Sequence, residues 1–305
     1  MTPTAEPVLL AGGGFVGRHL ARALVDRGAR VSMVSRRAIE PIPGVETLQG
    51  DLDRPDDRRR VLRGVRRVVW LVHSLDRPDF AARDPRMAGD FARHARAEGV
   101  DRVVYLGALG GGRGLAAAHT RSRHATGEAL RGAGLAVTEL RAAVVLGAGS
   151  AVFEMVRALV ERLPVLVVPA GARTPVQPIA VGDLARLLAE ATLGDPAPGV
   201  WEVAGDEVVS YRDLMTRYAA LRGLRRPALD MPVATPRLSG LTIGALTPLS
   251  AVMGRALVEN LGSPAVLGAS GDPRVGRFGQ GPYLSVHEAL VRSLREAGLP
   301  QTEPA

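Results

Sequence analysis

The stretch VLLAGGGFVGRHLARALVDRG, residues 8–28, reads as a strand, a glycine turn and a helix in one unit. Val8, Leu9 and Leu10 form the apolar strand, and Gly12, Gly13, Gly14 and Gly17 the turn. Leu20, Leu24 and Val25 share one helical face, and Gly28 follows where a left-handed C-terminal residue is expected. The spacing Gly12-x-Gly14-x-x-Gly17 is that of a dinucleotide fingerprint. The first glycine allows the tight turn, the second lets the backbone approach a pyrophosphate, and the third lets helix lie close to strand. The free N–H groups at the helix start, from Gly14 through Phe15 and Val16 to Gly17, then face the phosphates. A bare glycine pattern is a weak signal; a strand before it and a helix after it supply the required context. The competing reading is a glycine turn that holds no ligand.

The second strand, residues 31–34, ends in Ser35-Arg36-Arg37. An acid at this place hydrogen-bonds a ribose 2′-hydroxyl, whereas an arginine accommodates a 2′-phosphate. Arg36 lies about 20 residues past the glycines, the expected distance, and no Asp or Glu follows until Glu40. A planar guanidinium grips phosphate with two hydrogen bonds. The sequence therefore favours NADP(H) over NAD(H); two solvated arginines are the alternative.

A short third strand over 45–48 is followed by Gly50-Asp51-Leu52, which places Asp51 near an adenine, although an Asp after a strand also reads as a helix cap. The run VVWLV, residues 68–72, fits a strand buried on both faces, ending in Leu71, Val72, His73 and Ser74. A helix over 80–99 and a fifth strand over 102–106 follow, then Gly107. This alternation implies an α/β fold, a doubly wound parallel Rossmann sheet with right-handed crossovers. Ligands of such sheets bind beyond the carboxyl ends of the strands, where Ser35, Asp51, His73 and Gly107 converge.

The composition narrows the chemistry. The chain has 305 residues, 46% of them hydrophobic, enough for a large core, and no cysteine, which excludes disulfides and thiolate chemistry. All 39 basic residues are arginine, so Schiff-base lysines and P-loops are excluded. The net charge of +8 is spread along the chain with only 4% aromatics, which argues against nucleic acid as a partner. Residues 1–7 carry no signal-peptide pattern, and no window reaches the roughly 18 apolar residues of a membrane span; a cytoplasmic protein without stable membrane insertion is expected. No metal-binding or G-x-S-x-G motif is present, and no metal site is expected.

With AGGGFVGRHL, the GDL at 50–52, LVHS at 71–74, VVYLGAL at 103–109, RSRHATGEAL at 121–130, ELRAAVVLGAGS at 139–150 and PIAVGDLA at 178–185, the chain resembles an atypical, extended-type short-chain dehydrogenase/reductase. The nearest subgroup is the NAD(P)H-binding one related to sugar-nucleotide epimerases and NmrA-like proteins. The resemblance covers the first two-thirds and fades afterwards. Ala11 stands where that family often has Thr-Gly and an extra loop residue. The resemblance implies a catalytic serine after the fifth strand, where this chain has Gly107 and Ala108, and a Tyr-x-x-x-Lys pair, which falls on His119-x-x-x-Arg123. An imidazole with an ordinary pKa near ~6.5 can donate a proton at neutrality. Arg123 stays charged and cannot, but it can hold ribose hydroxyls and favour negative charge on a reacting oxygen. His119 is thus the candidate general acid with Arg123 beside it, His73 is a second candidate on the rim, and a solvated helix start is the bland alternative.

The expected organisation is a dinucleotide-binding domain over 1–150, rejoined by 175–204, with a smaller C-terminal substrate lobe built from 151–174 and 205–305. Asp183 and Ser210 read as helix caps, and 284–299 as a closing amphipathic helix. Prolines punctuate apolar segments over 227–248, which reads as a pocket wall, a lid or a surface for a homodimer or membrane face. The expected activity is NADP(H)-dependent reduction of a small apolar carbonyl, enone or quinone-like compound. The alternatives are a non-catalytic NADP(H)-binding redox sensor and a structural accessory subunit that keeps the nucleotide for stability.

Overall fold

Continuous apolar runs and amphipathic stretches alternate along the chain, and they fold as alternating strands and helices. A computed structural model describes residues 6–110, 117–231, 251–269, 271–272 and 275–302. In chain order, β1 (Pro7–Ala11), α1 (Phe15–Val25), β2 (Arg30–Ser35), β3 (Val45–Gln49), α2 (Pro55–Leu62), β4 (Arg67–Trp70), α3 (Phe80–Ala97), β5 (Arg102–Ala108), α4 (Ala118–Gly132) and β6 (Ala136–Ala142) come first. The short strands β7 (Val145–Leu146), β8 (Leu166–Pro169), β9 (Pro175–Val176) and β10 (Ile179–Ala180) follow, with α5 (Ala151–Arg162) after β7 and α6 (Val181–Leu193) after β10. The chain continues through β11 (Gly199–Val203), β12 (Val209–Ser210), α7 (Tyr211–Leu221) and β13 (Ala228–Met231). Helix α8 (Ala251–Leu261), β14 (Gly276–Arg277) and α9 (Val286–Glu296) come last. Most of the proline-punctuated stretch, residues 232–250, lies outside the described residues.

Eight parallel strands form the main sheet in the order β3-β2-β1-β4-β5-β6-β11-β14. The first six give the doubly wound order 3-2-1-4-5-6, whose direction reverses between β1 and β4 and opens a crevice there. Successive side chains of a strand point to opposite faces, so Leu9 and Leu10, both fully buried, feed two different cores. Leu10, Val69, Val104 and Leu140 meet α1 and α6 through Leu20, Leu24, Leu184 and Leu188. Leu9, Trp70, Tyr105 and Val137 meet α2, α3 and α4 through Leu62, Phe91 and Leu130. Each such side chain contributes about 1.5–3 kcal/mol by leaving water.

A third core lies away from the sheet, where Phe153 and Val156 of α5, Leu214 and Tyr218 of α7 and Leu290 and Leu294 of α9 pack together. Ser150 caps α5 by accepting from the Phe153 N–H at 3.2 Å. Ser210 and Asp213 cap α7 reciprocally, and Ser285 and Glu288 do the same for α9. Among the described residues, no helix is long and apolar enough to cross a membrane.

Three details differ from the sequence reading. The fourth strand stops at Trp70; Leu71 adds one further ladder bond, its N–H to Ala11 O at 2.9 Å, and the chain then turns into the crevice. Asp183 is not a cap: β10 runs straight into α6, whose N-cap is Ala180, and the Asp183 carboxylate accepts from the Leu284 N–H at 2.9 Å. The outermost strand, β14, comes from residues 276–277, well inside the segment read as lobe, and pairs through Trp201 and Glu202 of β11.

Candidate active site

The glycine turn is shaped by close approach. Gly12 has φ +123°, in the left-handed region, and a Cβ there would stand 3.2 Å from Leu71. A Cβ on Gly17 would stand 2.3 Å from the carbonyl oxygen of Gly12, so only glycine lets α1 start this close to the turn. Gly14, the N-cap of α1, has nothing within 4 Å of a Cβ position. Open space above the free amides of a helix start fits a pyrophosphate. Phe15 and Val16, the first two helical residues, carry main-chain N–H groups that a helix start leaves without an intrahelical partner. The Phe15 ring turns away to lie 5.1 Å from His19, edge to face, and Val16 packs into the core.

These amides open on a cleft of about 580 Å³ at the carboxyl ends of β1, β2, β3 and β4. Its walls include Gly12, Gly14, Ser35, Arg36, Arg37, Asp51, Leu52, Leu71, Val72 and His73. Sequence-distant residues are thus brought onto one rim. Ser35 Oγ accepts from the Arg37 N–H at 3.3 Å, and Gln49 Nε2 donates to Arg36 O at 3.3 Å, which fixes the backbone of the arginine turn. Both guanidiniums are exposed at the cleft, and among the described residues neither takes an ion pair. Glu40 points elsewhere, to Arg18 at 2.8 Å. Asp51 does not cap α2, whose N-cap is Arg54; its Oδ1 accepts from the Asp53 N–H at 3.1 Å.

A second cavity of about 230 Å³ adjoins the first, and His73 lines both. Apolar groups dominate its walls, among them Leu75, Leu106, Leu109, Val144, Val152 and Leu257. The polar groups are His73, His119, Thr120, Arg123, Tyr211, Asn260 and Ser263. Gly107 also lines it. The position that the family resemblance gives to a serine is blocked here, because a Cβ on Gly107 would meet Glu139 Oε1 at 2.7 Å. Glu139 is fully buried in β6 and is held by Arg131 and by Arg141, the latter at 2.7 Å. The same carboxylate explains Gly127 of α4.

His119 and Arg123 do stand together at the start of α4, yet their environment differs from that of a solvated helix start. Arg123 is buried, and its guanidinium donates to the carbonyls of Leu106 and Val72 at the carboxyl ends of β5 and β4. It also lies 5.1 Å above the Tyr105 ring, while the Tyr105 hydroxyl donates to Arg123 O at 2.8 Å. Two of its N–H groups are therefore spent on main-chain carbonyls, where free ribose donors were expected.

Burial first, and the Arg123 charge second, pull the His119 imidazole down to about 3. The same two causes act on His73, which is open to the cleft, and lower it as well. Both shifts favour the neutral ring over the imidazolium at pH 7. His119 Nδ1 lies 3.0 Å from Asn260 Nδ2 on α8, and Thr120 Oγ1 donates to Asn260 Oδ1 at 3.4 Å. Behind His73, the buried Asp84 accepts from the Ser74 N–H at 3.0 Å and holds the loop after β4. Asn260, Tyr211, Asp84 and the role of Glu139 carry no motif. Only contacts across long stretches of chain reveal them.

Residues 12–147 match the model of an NAD(P)H-binding family. No curated protein matches the chain. Among solved structures, WbmG of Bordetella bronchiseptica in complex with NAD superposes with TM-score 0.71 at 17% identity, over 97% of this chain and 95% of that one. The UDP-glucose 4-epimerase of Thermotoga maritima with UDP-glucose gives TM-score 0.70 at 14% identity, over 96% and 98%. TunA, an NAD-dependent NDP-hexosamine 5,6-dehydratase of tunicamycin biosynthesis, gives 0.69 at 19%, also over 96% and 98%. At these identities the likeness is one of fold. The chain has a Rossmann fold, and its residues 12–147 resemble an NAD(P)H-binding family. The family match supports a nicotinamide cofactor.

Proposed function

We propose that the protein is an NADP(H)-dependent reductase of a small apolar carbonyl, enone or quinone-like compound. The observation that carries this reading is the continuity of two cavities through His73, a dinucleotide-sized cleft and a smaller, largely apolar chamber. At about 230 Å³ the described chamber is below the roughly 300–1,000 Å³ that holds a drug-sized ligand. That favours a compact apolar substrate over a nucleotide sugar such as the UDP-glucose bound by the Thermotoga maritima epimerase. The nicotinamide cofactor supplies the hydride when bound. The chain's own contribution is position and electrostatics: the α1 amides and Arg36 and Arg37 for the phosphates, His119 beside the substrate oxygen. The preference for NADP(H) rests on the two guanidiniums at the end of β2, which take no ion pair among the described residues.

The engagement of Arg123 with two carbonyls, and the absence of serine, tyrosine and lysine from their usual places, favour a second reading: an NADP(H)-binding sensor without turnover. Titration by nicotinamide fluorescence, NADPH against NADH, followed by turnover assays with quinones, enones and UDP-glucose, separates the readings. Tighter binding of NADPH and oxidation of NADPH by an enone or quinone are expected. Tight binding with no acceptor turned over would replace the reductase by the sensor, and turnover of UDP-glucose alone would overturn the substrate class.

A further inference from the structure

We propose that Asn260 of α8 is a positioning residue that locks His119 in its Nε2–H form, so that a neutral imidazole offers one fixed donor to an acceptor oxygen in the small chamber. This rests on the reductase reading for the identity of that oxygen, but the lock itself does not. Asn260 Nδ2 lies 3.0 Å from His119 Nδ1. An amide nitrogen has only hydrogens to offer, so Nδ1 must be the bare, accepting nitrogen and the ring proton must sit on Nε2. At the other end of the amide, the hydroxyl of Thr120, next to His119 on α4, lies 3.4 Å from Asn260 Oδ1 and donates to it, in keeping with this orientation. Among the described residues Nε2 takes no partner, and both His119 and Asn260 line the chamber. What remains is a single N–H on a half-buried ring, aimed by a residue 141 positions away.

The charged and titratable groups around the ring oppose its protonation. Arg123 on the same helix is the strongest, and His73 and His124 add to it. Among the described residues no carboxylate acts on the ring to raise it. A neutral imidazole at such a place polarises a carbonyl by hydrogen bonding and does not release a proton in the resting state. Its preference is for an oxygen with lone pairs, such as a ketone, enone or quinone, over an alcohol or a hydrocarbon of the same shape. A net hydrogen bond to Nδ1 biases the tautomer by roughly two- to tenfold, and the alternative tautomer would set two N–H groups against each other.

The test is long-range ¹H–¹⁵N NMR of the full-length protein with labelled histidine, saturated with NADPH. His119, assigned by His119→Gln, is expected to show the Nε2–H pattern at pH 7. Asn260→Asp gives Nδ1 a carboxylate to donate to. The proton should move to Nδ1 and the titration midpoint of the ring should rise by about 1–3 pH units. Thr120→Val, which frees the amide to turn, should give a mixture of tautomers. Cyclohexenone should shift the Nε2–H resonance of the wild type, and cyclohexene, which lacks the oxygen, should not. An Nδ1–H pattern in the wild type, or an unchanged pattern in Asn260→Asp, would overturn the lock. Equal shifts with both compounds would overturn the assignment of an acceptor oxygen. These readouts do not require turnover. A sensor without activity would therefore show the same lock and fail only the acceptor assays, whereas a reductase without the lock would turn over and fail the NMR.

Discussion

Two neighbouring glycines should respond oppositely to the same added methyl. A Cβ on Gly14 meets nothing within 4 Å. The backbone there, φ −77° and ψ −166°, is one that alanine adopts. Alanine is a poorer N-cap than glycine by roughly 0.5 kcal/mol, and the loss of unfolded-chain freedom returns about 0.4–1 kcal/mol. Gly14→Ala should therefore leave stability within about 1 kcal/mol of the wild type. If a pyrophosphate occupies the open space, however, the methyl pushes it back from the α1 amides. Losing one charge-assisted hydrogen bond of about 1.5–3 kcal/mol weakens binding by roughly 10- to 100-fold. On Gly17 the methyl would stand 2.3 Å from the Gly12 carbonyl oxygen, and helix and turn must separate. Overpacking of this kind costs about 1–3 kcal/mol, at roughly 2–4 °C per kcal/mol for a domain of 150–250 residues. Gly17→Ala should lose both stability and nucleotide.

The assay is a pair of measurements on each variant, thermal unfolding without nucleotide and fluorescence titration with NADPH. Gly14→Ala should keep its Tm and lose affinity, and Gly17→Ala should lose both. If Gly14→Ala bound NADPH as the wild type does, the space above it would not be the phosphate cradle. If it unfolded as early as Gly17→Ala, the packing argument that separates the two positions would be wrong.

Arg36→Ala and Arg37→Ala should each weaken NADPH by roughly 10-fold or more while changing NADH by less than about twofold, as expected for a charge-assisted bond to a 2′-phosphate; equal losses for the two nucleotides would remove the assignment. Because the folded-state pKa of His119 is lowered from 6.5 to about 3, the unfolded chain binds more protons than the native one between those values. Stability should therefore fall as pH is lowered through that window, and His119→Gln should flatten the dependence, read as urea midpoints at pH 7 and pH 5. Gly107→Ser, which would place a hydroxyl where the family resemblance implies one, should cost about 1–3 kcal/mol, because its Cβ meets Glu139 Oε1 at 2.7 Å; an unchanged urea midpoint would contradict the packing behind β5.

Local signals made half of this molecule legible. Strands buried on both faces must be continuous apolar runs, and VLL, VVW and VVYL identify themselves. Once those strands are parallel, the residues just after them must share an edge, which is why Ser35, Asp51 and His73 could be placed together before any coordinates. Illegible were relations whose partners lie far apart in the chain. Gly107 looks like a lost serine until the Glu139 carboxylate is seen filling the space behind it. Asp183 has the pattern of a cap and spends its carboxylate on Leu284 instead. Asn260 sits in a stretch of faded resemblance and reaches His119 only after folding. Strand β14 is two residues long, too short for any periodicity to mark it.

The exchange of a tyrosine–lysine pair for His119 and Arg123 is not conservative in physical terms. Lysine can shift its pKa and pass a proton; a guanidinium cannot. Arg123 uses its fixed charge on the carbonyls of Leu106, in β5, and of Val72, just past β4. The same charge adds to burial, the larger cause, in disfavouring protonation of His119 and His73. One residue thus ties β5 to the loop after β4 and helps keep the neighbouring imidazoles neutral. In the reductase reading, the proton that completes reduction must then come from solvent after the oxygen has been held and polarised. A site of that kind suits acceptors whose reduced oxygen is a weak base, such as quinones and enones, better than simple ketones. Within one series of acceptors of similar size, rate should then follow the ease of hydride acceptance more closely than the basicity of the oxygen.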